Sequence, residues 1–161
     1  MKYAIPAGAC IGHVHLKVTD LERALGFYRD LLGFTVTQYY GTGAAFLSAG
    51  EYHHHIGLNT WHSKGAGPAP ERAAGLYHAA ILYPQRRDLA AILKRLLEQR
   101  YPLTGAANHG VSEALYINDP DGNGIELYWD KPREQWPIDA AGNVRMFTEP
   151  LDLQDLLGEL E

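Results

Sequence analysis

Glu126 is the side chain whose chemistry most needs an explanation. It lies in Asp119-Pro-Asp-Gly-Asn-Gly-Ile-Glu-Leu-Tyr128, where turn residues feed a run in which Ile125, Leu127 and Trp129 alternate with Glu126 and Tyr128. The apolar set faces a core, so Glu126 points to the other face. A carboxylate held in mid-strand is costly unless it is solvated, paired or bound to a cation. Two histidines are spaced to meet that need. His13 lies in Gly12-His-Val-His-Leu-Lys-Val18, and His78 lies in Leu76-Tyr-His-Ala-Ala-Ile-Leu-Tyr83. In the first run Val14, Leu16 and Val18 form one face, and His13, His15 and Lys17 the other.

The elements that must position these groups repeat. Thr19-Asp20 caps a predicted helix over Leu21–Leu32, which Gly33 ends, with Leu21, Leu25, Tyr28 and Leu32 as its buried stripe. Strand-like runs follow at 34–40, 44–48 and 53–61. After a Gly-, Pro- and Ala-rich stretch the order recurs. A strand over 76–83 precedes a helix from Pro84 to about Gln99, carrying Leu89, Ile92, Leu93, Leu96 and Leu97. Strands are then expected near Leu103, at 113–118 and at 124–129. The two halves superpose at an offset of 65, since 78 minus 13 is 65, and Leu31-Leu32 fall on Leu96-Leu97. Two copies of a β-α-β-β-β unit are stacked copies of one supersecondary element. The expected fold is α+β: one domain over 1–161, with two tandem modules forming a curved mixed sheet around an enclosed metal site. Module one covers about 10–61, a linker 62–75, module two about 76–130, and an extension 131–161 with a short helix starting near Asp152.

Composition narrows the function classes. A net charge of -5 without a Lys/Arg block argues against nucleic acid as a partner. No apolar run approaches membrane-spanning length, and the opening residues Met1–Cys10 are too short and broken for a signal peptide, so a cytoplasmic protein is expected. Cys10 is the sole cysteine, which rules out an internal disulfide and a thiolate metal cluster.

Equivalent positions of a repeat occupy equivalent places, so His13 and His78 are expected on either side of a pseudo-twofold axis. If the two sheets pair into one cup, these imidazoles and Glu126 converge on its concave side. Two His and one carboxylate with open positions is the ligand set of non-haem Fe(II) oxygenases, or of another borderline divalent ion such as Mn, Ni or Zn. By contrast, a single His on a strand is more often a hydrogen-bonded structural residue, and His15, His53, His55 and His62 are read that way.

Gly12-His-Val-His-Leu-Lys-Val-Thr-Asp20, Phe27-Tyr-Arg-Asp-Leu-Leu-Gly33 and Asp119-Pro-Asp-Gly-Asn-Gly-Ile-Glu126 together resemble the module starts and end of the vicinal oxygen chelate superfamily, the glyoxalase, bleomycin-resistance and extradiol-dioxygenase group. The resemblance covers roughly residues 10–130 and implies His13, His78 and Glu126 as metal ligands. Within that group the chain is most similar to catechol 2,3-dioxygenase-like members. Their His-His-x-Ile-x-Leu run matches His53-His54-His55-Ile-Gly-Leu58 with His54 as acid/base. A His and a Tyr ahead of the Glu ligand match His109 and Tyr116, implying that they hydrogen-bond a catecholate oxygen. Glyoxalase I-type members carry a fourth ligand on the strand that here holds Gly57, which cannot ligate. The resemblance thus implies Fe(II)-dependent extradiol cleavage of a small aromatic substrate by dioxygen, in a homodimer. The alternatives are a glyoxalase- or epimerase-like isomerase or lyase and a metal-free binding or resistance protein. The tail, at 129–137 and 149–153, is similar to the join between two halves of larger proteins of this kind, so the chain resembles one half of such a protein.

Overall fold

Strand β1 (Val14–Lys17) is followed by a helix, α1 (Leu21–Leu25), and by strands β2 (Thr35–Tyr40), β3 (Ala44–Ser48) and β4 (Ile56–Asn59). The computed structural model describes residues 2–70 and 72–161. Met1 of the opening segment and Glu71 of the expected linker lie outside the described residues. The chain divides into two compact units, one ending at Gly67 and one beginning at Pro68. The architecture is α+β, with one mixed sheet in each unit.

In the first unit the strand order is β1-β4-β3-β2. β1 runs parallel to β4, and the other pairings are antiparallel. Asp20 caps α1, its Oδ1 accepting from Arg23 N–H at 2.9 Å. The single predicted helix over Leu21–Leu32 is α-helical only to Leu25 and continues as a π-helix over Gly26–Leu31. Its wider turn is seen in Leu32 N–H, which bonds Phe27 O, five residues back, at 2.9 Å. The widening shifts the buried stripe. Ala24, Leu25, Phe27, Tyr28 and Leu31 are buried, while Leu21 and Leu32 stay partly exposed. The predicted strand over 53–61 is paired only from Ile56 to Asn59, which leaves His53, His54 and His55 in the preceding bend.

The second unit repeats the plan: β5 (Ala79–Leu82), α2 (Arg86–Glu98), β6 (Gly105–Asn108), β7 (Ser112–Asn118) and β8 (Gly124–Asp130). Its order is β5-β8-β7-β6-β9, with β5 parallel to β8 and an unforeseen edge strand, β9 (Glu149–Pro150), from the tail. Pro84 does not open the helix. Gln85 caps it, in a reciprocal box with Asp88, and Arg86 is the first helical residue. Leu89, Ala90, Ile92, Leu93 and Leu96 are buried, but Leu97 falls off that face and is exposed. The strand expected near Leu103 begins two residues later, at Gly105. The tail ends in α3 (Leu153–Gly158), capped by Asp152 as expected, with Leu156 fully buried. No helix among the described residues is long and apolar enough to cross a membrane.

Candidate metal and substrate site

The Asp119–Asn123 turn is tied by its own side chain. Asp119 Oδ1 accepts from Asp121 N–H at 2.9 Å and Asn123 N–H at 2.8 Å, and Asn123 Nδ2 donates to Oδ2 at 2.9 Å. The turn delivers β8 in the register that buries Ile125 and Leu127 and turns Glu126 and Tyr128 to the other face. Gly124 is needed for close approach. A Cβ there would stand 2.5 Å from Tyr77 O and 3.2 Å from His78 Cβ, so only glycine lets the entry to β5 lie this near β8. His78, one residue before β5, therefore reaches Glu126: its Nε2 lies 2.9 Å from Oε2.

Glu126 is the centre of a run of polar contacts. Tyr116, opposite it in the β7–β8 ladder, donates its hydroxyl to Oε1 at 3.0 Å. His109 Nε2 lies 2.7 Å from the same hydroxyl, and His109 Nδ1 lies 3.0 Å from Phe147 O. Burial first, then the hydrogen bond to Glu126, raises the Tyr116 phenol well above its ordinary value, so it stays a donor. His78, His109 and Tyr116 line two cavities of about 640 and 460 Å³ on this unit, and Glu126 lines the smaller one.

The donor set fits a divalent ion. Two donors bound at right angles to one ion at about 2.1 Å would be about 3 Å apart, and His78 Nε2 and Glu126 Oε2 are 2.9 Å apart. His78 Nδ1 is buried without a hydrogen-bond partner, so Glu126 is the ring's polar contact. Among the described residues, no three His, Cys, Asp or Glu side chains are gathered into a metal-holding group.

The first unit carries the equivalent elements. β1 and β5 start 65 residues apart, and His13 and His78 each stand one residue before them. Ile56 pairs with Val14 as Ile125 pairs with Ala79, so Gly57 is the counterpart of Glu126, and Phe46, opposite Gly57, that of Tyr116. The His15 ring occupies the space: a Cβ on Gly57 would meet its Cγ at 2.8 Å. His54 leaves its expected strand but stays beside His13, the ring centroids 4.4 Å apart, and packs on Phe46 at 5.0 Å. Its Nδ1 is 2.7 Å from that of His53. Removal from water, then the neighbouring His13, lowers the His54 pKa from the ordinary histidine value, which favours a neutral ring. His55 is structural, its Nδ1 3.0 Å from Ser48 Oγ. Thus His13 and His54 are neighbours in one unit, and His78, Glu126, Tyr116 and His109 are connected in the other.

Sequence reasoning did not single out Phe147, Gly110 and Arg86. The Gly immediately after His109 was the available signal for a constrained turn.

The chain belongs to the Glyoxalase/Bleomycin resistance protein/Dioxygenase superfamily, whose model matches residues 10–127. It is 42% identical over 150 residues to the catechol-2,3-dioxygenase of Bacillus subtilis (strain 168), covering 92% of this chain and 51% of that protein. It is 32% identical over 123 residues to biphenyl-2,3-diol 1,2-dioxygenase 3 of Rhodococcus globerulus, covering 74% of this chain and 63% of the relative. The chain thus spans about half to two thirds of the length of these relatives. Its fold is shared with a glyoxalase/dioxygenase from Nostoc punctiforme, with a TM-score of 0.64, 17% identity, and coverage of 82% of this chain and 99% of that one.

Proposed function

We propose that the two units act as one domain, in which His13, His78 and Glu126 hold Fe(II) for extradiol cleavage of a catechol-like aromatic by dioxygen. The observation that carries this reading is the connected run His78–Glu126–Tyr116–His109, which joins a ligand pair to hydrogen-bonding groups suited to an aromatic diol. Held by His13, His78 and Glu126, an iron ion would supply Lewis-acid binding of the diol and dioxygen and a path for charge between them. Tyr116 and His109 orient one diol oxygen. His54, held neutral, takes and returns a proton at the substrate oxygen. The names of the two dioxygenase relatives support the same class of substrate.

Gly57 and the His15 ring above it speak against the isomerase reading, which wants a fourth protein ligand on that strand. The test is metal analysis of anaerobically purified protein, followed by oxygen uptake with catechol and substituted catechols. About one iron per chain, with uptake and a yellow ring-opened product, is expected. Full occupancy by nickel or zinc, with no uptake after Fe(II) reconstitution, would refute the assignment.

A further inference from the structure

Met146 is a large apolar side chain left 67% exposed on a stretch of chain that is held on both sides. Before it, a small hairpin is closed by Arg145 N–H, which donates to Pro137 O at 2.8 Å, and by the bridge between Ile138 and Val144. After it, Phe147 N–H donates to His109 O at 3.3 Å, and the Phe147 ring is seated on Gly110. The φ of Gly110 is +81°, and a Cβ there would stand 2.6 Å from Phe147 Cε1 and 2.9 Å from Pro137 Cγ. Glu149 of β9 then pairs with Asn108. The far end is anchored through α3, where Arg86 bonds Asp155 at 2.6 Å and Glu159 at 2.8 Å. With Phe147 packed on its seat, the residues on either side of it serve the cavities: Met146 lines the smaller one and Thr148 the larger.

The smaller cavity is the one that holds the whole polar run. His78, Glu126, Tyr116 and His109 all line it, whereas Glu126 does not line the larger. A diol bound by that run therefore rests its ring on the remaining lining. Ala80, Val111 and Met146 are the apolar part of that lining. Its charged part is Asp130, which shares the Glu126 and Tyr128 face of β8. Among the described residues, Asp130 makes no ion pair, and no Lys or Arg side chain lines either cavity. Lys131, next in the chain, turns its Nζ to Asn108 Oδ1 at 3.0 Å. Burial, then Asp130 and Glu126, raise the Tyr128 phenol above its ordinary value, so it adds no charge of its own. A ring substituent thus meets an adaptable apolar side chain and a carboxylate without a counter-ion. We propose that the smaller cavity selects diols whose ring carries an uncharged, apolar substituent, with Met146 covering that substituent and Asp130 turning away a carboxylate there. The inference rests on the proposed function for the diol's place at the polar run, and its test reads binding rather than turnover.

Anaerobic calorimetric titration of the whole 161-residue chain loaded with Zn(II) compares catechol, 4-tert-butylcatechol and 3,4-dihydroxybenzoate. The last two carry an apolar and an anionic group at the same ring position, and ratios between variants cancel the intrinsic differences among the diols. The tert-butyl diol is expected to bind about tenfold tighter than catechol, and Met146→Ala to shrink that advantage about three- to fivefold. Asp130→Asn is expected to tighten 3,4-dihydroxybenzoate about threefold, the effect of one charge roughly 6 Å away in water, and to leave the tert-butyl diol unchanged. An undiminished tert-butyl advantage in Met146→Ala, or unchanged 3,4-dihydroxybenzoate binding in Asp130→Asn, overturns the proposal. So does a selectivity moved instead by Thr104→Met, which narrows the larger cavity alone. Selective binding without ring cleavage after Fe(II) reconstitution would sink the proposed function and leave the selectivity standing. Ring cleavage with indifferent binding would overturn the selectivity alone, and no binding of any diol would overturn both.

Discussion

Gly124→Ala tests whether backbone proximity at the start of β8 is what brings His78 to Glu126. The added Cβ would lie 2.5 Å from Tyr77 O, whereas ordinary contact begins near 3.4 Å, so the two chain segments must separate by about 0.9 Å. The obstacle is main chain, which cannot swing aside as a side-chain tip can. Passed on to the side chains, that displacement widens the 2.9 Å separation of His78 Nε2 and Glu126 Oε2 to nearly 4 Å. Two donors of one small ion, each at about 2.1 Å, cannot be that far apart without opening the ligand angle well past 90°. Strain of this kind costs about 1–3 kcal/mol of stability. Loss of ligand geometry costs about 10- to 100-fold in metal affinity. Urea denaturation and titration with Fe(II) or Zn(II) under anaerobic conditions measure the two effects. Wild-type affinity in Gly124→Ala, at any stability, would refute the claim that this contact sets the ligand pair.

Three other perturbations separate the parts. His54→Ala is expected to keep its metal yet lose about 10²- to 10⁴-fold in turnover, the range for a general acid/base; metal loss, or unchanged turnover, would remove His54 from that role. Arg86→Met leaves buried Glu113 with only Lys131 at 3.9 Å, and should destabilise the second unit by about 3 kcal/mol and speed amide exchange in α3. A loss below about 1 kcal/mol, the worth of an exposed pair, would show that the Arg86–Glu113 contact is not a buried one. Burial, then Asp88, pushes the Tyr83 phenol up to about 12, so the folded state favours its protonated form. The resulting stability is present below an unfolded pKa near 10 and is lost as pH rises towards 12. Tyr83→Phe should flatten the urea midpoint across that window by about one proton, and an unchanged slope would count against the burial assigned to Tyr83.

Much of the second unit was legible because its signals are local. The Asp119–Asn123 turn and the alternation of Ile125 and Leu127 with Glu126 are short-range patterns, and the observed β8 follows them. The offset of 65 between His13 and His78 was legible for a different reason, since a repeat displays topology in the sequence itself. His54 was placed on a strand because its run alternates. The ladder nevertheless begins only at Ile56, where β4 finds partners on both sides, and His55 is diverted to Ser48. The π-helical turn at Gly26–Leu31 carries no motif of its own. Nor could Arg86 be matched in advance to Asp155 and Glu159, because nothing in a linear sequence ties a helix start to carboxylates 69 and 73 residues away. The seat of Phe147 on Gly110 was hidden for the same reason.

The parallel pairing of β5 with β8 has a consequence for how the site comes into being. Ala79 meets Ile125 only after every intervening element has been laid down, so the module closes by a contact between its ends rather than between neighbours. Closure across such a span pays its loop entropy before any contact rewards it, which makes it a late and slow event in folding. His78 and Glu126 sit at that seam. Until the seam closes, the two donors are strangers on a flexible chain with no shared ion to offer. Under the proposed ligand assignment, metal capture by this pair would report that the unit has finished folding, and a bound ion would act as a latch on the last step, slowing the reopening of the very strands that created its site.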